Sequence, residues 1–103
     1  MAIRYGLGTA ALTLALGQLP TGQAQTPQMQ QTAQCVLSAI KDTRSHVAVQ
    51  LIQRACNDLV VQTGHLYDKQ RAYDQCLIDQ LSGAQSDAAA LQVQGACRTA
   101  NPL

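Results

Sequence analysis

Four cysteines constrain this chain more than any other feature. Cys35 and Cys56 enclose twenty residues, and Cys76 and Cys97 enclose twenty more. Each enclosed stretch has a serine near its middle, Ser45 or Ser86, followed by a run that reads as helix. A serine hydroxyl in that position accepts a hydrogen bond from a free amide of the first helical turn. The pattern therefore predicts two hairpins of two helices each, with a cysteine on each arm. Cys35 lies ten residues before Ser45 and Cys56 eleven after it. At about 1.5 Å of rise per residue the two arms reach nearly the same height. The cysteines then meet at the open end of the hairpin. Helix axes pack about 8–10 Å apart, whereas bridged cysteines need Cα atoms about 4.4–6.8 Å apart. Inward-facing cysteines beside the small Ala55 and Ala96 meet that requirement.

Four cysteines allow three pairings. Cys35–Cys56 with Cys76–Cys97 is favoured, because each hairpin is then self-sufficient. Cys56–Cys76 with Cys35–Cys97 is the rival, since Cys56 to Cys76 spans a similar length around Gly64.

The N-terminus supplies a reason for the cysteines to be oxidised. Arg4 is followed by an apolar stretch from about Leu7 to Leu19, then Pro20 and the small residues Gly22 and Ala24. This is a signal-peptide pattern with cleavage expected after Ala24. The apolar run is too short for a spanning helix, which needs about 20 residues. Residues 1–24 are thus expected to be removed, with an uncleaved membrane anchor as the alternative, leaving a single helical domain over 25–103 that is periplasmic or secreted. Disulfides form and persist in such compartments.

The domain also needs staples. The sequence has no Phe and no Trp, and beyond Ala24 only Tyr67 and Tyr73 are aromatic. A domain this small buries a modest share of its surface, and short scaffolds generally need covalent support.

Charge excludes some partners. The chain has seven Lys and Arg and six Asp and Glu, so loss of Arg4 leaves the mature chain neutral. No basic stripe is present for nucleic acid. No cationic amphipathic face is present for a membrane after signal cleavage.

Apolar spacing predicts four helices, at about 29–42, 46–62, 66–82 and 87–99, and no strand. Ala33, Val36, Leu37 and Ile40 mark the first inward face. Ala48, Leu51, Ile52, Ala55 and Leu59 mark the second. Tyr73, Leu77 and Leu81 mark the third, with Ala89, Val93 and Ala96 on the fourth and Leu91 off it. Ser45 and Ser86 are expected N-caps, and Asp87 in a first turn suits the helix dipole. Gly64 and Gly83 are expected to close helices in the left-handed conformation. The fold class is all-α: two disulfide-stapled antiparallel hairpins packed as a small four-helix bundle. The alternative is two hairpins that barely touch and open around Gly64.

A shift of 41 residues aligns 35–56 with 76–97 without a gap, with six identical positions in 22. The identities are the cysteines, Ser45/Ser86, Ala48/Ala89, Gln53/Gln94 and Ala55/Ala96. Two copies of one helix–turn–helix unit are indicated.

The second copy, through Cys76, Leu77, Leu81, Ser86, Asp87, Ala89, Ala90, Ala96 and Cys97, resembles a signature of short, uncharacterised bacterial four-cysteine proteins, in which it often occurs twice. The first copy departs from it: His46 stands where Asp is usual, and Val36 replaces Leu. The resemblance covers about half of the mature chain. It implies an exported or envelope protein and brings no activity.

No residue set points to catalysis. Nothing resembles a nucleophile elbow, and the carboxylates read as solvated Asp side chains on separate helix faces. The C-x2-C pairs usual for zinc and the C-x-x-C of redox sites are absent. His65 and Asp68, three residues apart, supply only two ligands. Tyr67 and Tyr73 are expected in the core or at its boundary. The expected role is a non-catalytic interaction module without cofactor or metal, its partner an envelope or extracellular protein. Alternatives are a thiol redox protein or a carrier of a small ligand or metal.

Overall fold

The structure, a computed structural model, describes residues 26–103. The expected signal peptide, residues 1–24, lies outside them. Four α-helices follow in order: α1 Pro27–Ala39, α2 His46–Val61, α3 Asp68–Leu81 and α4 Asp87–Ala100. A short 3₁₀ turn, Thr63–His65, lies between α2 and α3, and the described residues contain no strand.

Helix α1 begins earlier than its apolar spacing indicates. Thr26 is extended and its hydroxyl accepts from the Met29 amide at 3.1 Å, with Pro27 at the first helical position. Proline suits that position because its φ is already helical and its missing N–H would have no helical partner. The helix ends at Ala39, where the Ile40 amide closes onto the Val36 carbonyl at 2.9 Å. Ser45 and Ser86 cap α2 and α4, accepting from the Ala48 and Ala89 amides at 3.0 and 3.1 Å.

Helix α3 starts two residues later than expected because Leu66 and Tyr67 are extended. Tyr67 is the N-cap residue, makes no side-chain cap and is 84% exposed. The expectation that it packs in the core or at its boundary is therefore corrected. Arg71 ties the linker back to α3, donating to the Thr63 hydroxyl and to the Thr63 and Leu66 carbonyls.

The left-handed helix ends assigned to Gly64 and Gly83 are also corrected. No described glycine has a positive φ. Gly64 sits in the 3₁₀ turn. After Leu81, Ser82 keeps right-handed angles and the Ala84 amide closes onto the Leu81 carbonyl at 3.0 Å. A tight right-handed turn thus does the work, and a Cβ at Gly83 would meet nothing within 4 Å. Gly83→Ala is expected to leave stability unchanged or raise it by about 0.4–1 kcal/mol, through a less free unfolded chain. Urea denaturation would show a loss instead if this turn needed glycine.

Disulfides join Cys35 to Cys56 and Cys76 to Cys97, with Cα atoms 5.8 and 5.7 Å apart. Each hairpin is closed by its own bridge. The two hairpins dock through α2, which packs most extensively on α3 and also touches α4. The alternative of barely touching hairpins therefore gives way to a bundle with one shared core.

The bridges also decide which helix faces turn inward. Cys35 must face Cys56, and residues two positions away on an α-helix point about 200° off. Leu37 is accordingly 67% exposed, and Ala33 is exposed too. Ala39 takes the interior instead, with Val36 and Ile40 half-buried. On α4 the inward face likewise follows Cys97: Ala90 and Cys97 are buried and Val93 is packed against them, while Ala96 is exposed. Close approach at the second bridge therefore does not depend on Ala96. Tyr73, Leu77 and Leu81 on α3 are all buried, as are Ala48, Ile52 and Ala55 on α2. Cys56 and Cys97 are 0% and 1% exposed, so half of the bridging sulfur belongs to the core itself.

Candidate functional site

Several polar side chains converge at the closed ends of the hairpins. The turn before α2 and the turn before α4 lie against each other. The Thr43 hydroxyl donates to the Ala84 carbonyl at 2.6 Å, and the Arg44 amide reaches the same oxygen at 3.0 Å. In return, the Gln85 amide donates to the Asp42 carbonyl at 3.0 Å. The Ser45 amide donates to Thr43 Oγ1 at 3.1 Å, which holds that hydroxyl in place.

Ser45 and Asp87 form the centre of this junction. Ser45 is 1% exposed. Its Oγ accepts from Ala48 and donates to Asp87 Oδ1 at 2.7 Å. The same carboxylate oxygen accepts from the Val47 amide at 3.2 Å. Asp87 therefore stands in the first turn of α4 while capping the first turn of α2. The Ser45 hydroxyl first, and the Val47 amide second, hold its carboxyl below its ordinary 3.8. This contribution is present above the ordinary carboxylate range and is lost as acid protonates Asp87.

Ser86, the equivalent of Ser45, is exposed and its hydroxyl bonds only the Ala89 amide. The repeat is thus asymmetric in energy. Ser45→Ala is expected to cost about 2 kcal/mol, the upper end for a lost cap, because a buried donor is lost as well. Ser86→Ala is expected to cost about 1 kcal/mol or less. Urea melts of the two variants would contradict the interlocked turns if the costs were equal.

Other sequence candidates do not come together. His46 begins α2 and His65 closes the 3₁₀ turn, both exposed. Asp68 starts α3, beyond the extended Leu66 and Tyr67, so it does not share a helical turn with His65. Among the described residues no three His, Cys, Asp or Glu side chains converge as metal ligands, and no cysteine is free. No helix among them is long and apolar enough to cross a membrane.

One side chain departs from the expectation of solvated carboxylates. Asp74 is 1% exposed, inside the bundle on α3. Gln70, one turn earlier, donates to both its oxygens at 3.2 and 3.3 Å. A single Asp beside an apolar ridge carries little sequence signal of burial. The spacing Gln70, Tyr73, Asp74, Leu77 is the one hint, since it places Asp74 on the buried stripe.

A different surface is left without a partner inside the fold. Met29, Ala33 and Leu37 recur every fourth residue on α1, opposite the Cys35 bridge, and all three are exposed. Met29 is 54% and Leu37 67% exposed. Helix α1 contains no charged residue along its 13 positions. Next to this stripe, a groove of about 480 Å³ runs between α1 and α2, lined by Met29, Thr32, Ala33, Asn57 and Val61 among others.

No curated protein and no solved structure matches this chain. A family-level match does exist. The sequence pattern of the four-cysteine protein VF_A0006-like family fits residues 12–101, a span that contains both bridges, both serine caps and the docked turns. The chain therefore belongs to the four-cysteine protein VF_A0006-like family.

Proposed function

We propose that this is a small exported helical protein that acts as a non-catalytic interaction module, using the outer face of α1. The observation that carries the reading is the uncharged stripe Met29, Ala33 and Leu37 on a helix fixed by a disulfide. Aliphatic side chains at i, i+4 and i+8 are the spacing by which one helix docks in the apolar groove of another protein. A face without charge fits a partner surface without charge, since burying an unpaired ion costs several kcal/mol. The partner chemistry is thus a neutral, aliphatic helix or groove on an envelope or extracellular protein. Two disulfides favour an oxidising compartment, in agreement with the signal-peptide pattern of residues 1–24.

Leu37→Asp is the test. Leu37 is 67% exposed, and changes at such sites move stability by about 0.5 kcal/mol or less. Wild-type and variant protein are used as bait in extract of the producing cell's envelope. A specific partner retained by the wild type and held at least about tenfold more weakly by the variant, about 1.4 kcal/mol, supports the reading. A partner bound equally by both, or no specific partner, contradicts it. Bridge reduction potentials above about −200 mV would favour thiol redox work instead, since structural disulfides usually lie below about −300 mV.

A further inference from the structure

Helix α1 differs from the other three in charge. Helix α2 exposes Arg54, α3 exposes Lys69 and Asp79, and α4 exposes Asp87 and Arg98. Helix α1 has no charged residue along its 13 positions. A surface that meets its own copy across a two-fold axis presents identical groups to itself, so a charge near the axis faces a like charge. Among the described helices, α1 alone can form such a contact along its whole length without that repulsion. The outward stripe is also symmetric end to end. Met29 and Leu37 lie four residues on either side of Ala33, so reversing the helix about Ala33 exchanges two bulky side chains and returns the small one to its place. The apolar surface continues onto α2, where Val61, 40% exposed, shares the groove with Met29 and Ala33. The Cys35–Cys56 bridge fixes the rotation of α1, so the face is presented with little ordering cost.

We propose that this face takes a second copy of the chain, in a two-fold dimer whose α1 helices run antiparallel and cross at Ala33; the proposal rests on the reading of α1 as a docking face and names its occupant. Each Met29 lies beside the partner's Leu37. The small Ala33 at the crossing lets the two helices approach closely. Each α1 edges into the groove of the other copy, against Asn57 and Val61. Antiparallel helices also set the positive end of one dipole beside the negative end of the other.

The size of the contact sets its strength. At about 1.5 Å of rise per residue, α1 is about 20 Å long. One helix pair with the margin of α2 covers less than the about 800 Å² per copy of a standard stable complex. The dimer is therefore weak, with a Kd of about 10–100 µM. A foreign aliphatic helix that docks on the same stripe competes with it.

The experiment is sedimentation equilibrium of the oxidised protein at concentrations from well below to well above that Kd. The weight-average mass should rise from that of one chain to that of two. Leu37→Asp should weaken self-association at least about tenfold, because it buries an unpaired carboxylate in the contact. Leu91→Asp, the same change at a residue 54% exposed on α4, should leave it unaltered. Met29→Lys combined with Leu37→Asp should recover most of the association, since the antiparallel register sets an ammonium against a carboxylate at both ends. A wild type that stays monomeric, a dimer untouched by Leu37→Asp, or one weakened as much by Leu91→Asp would overturn the dimer. A double variant as weak as Leu37→Asp would overturn the antiparallel pairing. Failure here is separable from failure of the docking face. A monomeric wild type that still holds an envelope protein through Leu37 loses only the second copy as occupant, whereas a monomer whose binding Leu37→Asp does not change loses the face itself.

Discussion

Replacing Cys35 and Cys56 together by alanine is expected to destabilise the protein by about 3 kcal/mol, and replacing Cys76 and Cys97 should cost a similar amount. Each bridge spans a sequence separation of 21 residues, and closing a loop of that size in the unfolded chain is worth about 3 kcal/mol on the chain-entropy estimate. Small domains have only about 5–15 kcal/mol in all. Either pair is therefore a large fraction of the total. Cys56 and Cys97 are also buried, so their loss removes core contacts along with the crosslink. Because each bridge lies within one hairpin, the two costs should add approximately. Urea midpoints of both double variants check this, and a cost below about 1 kcal/mol for either would contradict it.

Leu81→Ala should have a comparable effect. Leu81 is 0% exposed at the end of α3, in a core that contains no Phe or Trp. Buried Leu→Ala changes cost about 2–5 kcal/mol, through lost transfer energy and the cavity left behind. The identical substitution at Leu37, 67% exposed, should cost less than about 0.5 kcal/mol. The pair isolates position from chemistry. Similar losses at both sites would mean that α1 does not present Leu37 outward and that the face used for docking is misplaced.

Much of the fold is legible in local pattern. The equal arms around Ser45 place Cys35 beside Cys56, and the same arithmetic holds for Cys76 and Cys97. The serine caps open α2 and α4 at the expected residues. Apolar spacing alone misplaces two faces, because hydrophobicity does not distinguish Leu37 from Val36 or Ala96 from Ala90. The constraint that does distinguish them is geometric: a bridged cysteine must point inward, and its helix rotates with it. The glycines mislead for a similar reason, since a turn of a few residues can close in right-handed angles and then needs no special residue.

The junction of the hairpins is not written locally. Thr43 meets Ala84, and Ser45 meets Asp87, about forty residues along the chain. The partial signal is a break in the repeat. Thr43 aligns with Ala84 and His46 with Asp87, and these mismatched positions are where the two turns touch. A symmetric pair of identical turns would bring like groups together. The differences let a hydroxyl meet a carbonyl and a carboxylate meet an amide. The burial of Asp74 is still less legible, because it depends on which face of α2 the second hairpin covers.

The most direct measurement is a calorimetric scan of residues 25–103 with all four thiols reduced and kept reduced, beside the oxidised protein. Covalent bridges that stand in for the large side chains of a core without Phe or Trp require the oxidised form to unfold in one cooperative transition and the reduced form to show none. A reduced protein that melts cooperatively in the ordinary range of about 45–65 °C would mean that packing of α1 to α4 suffices, and that the cysteines are there for another purpose.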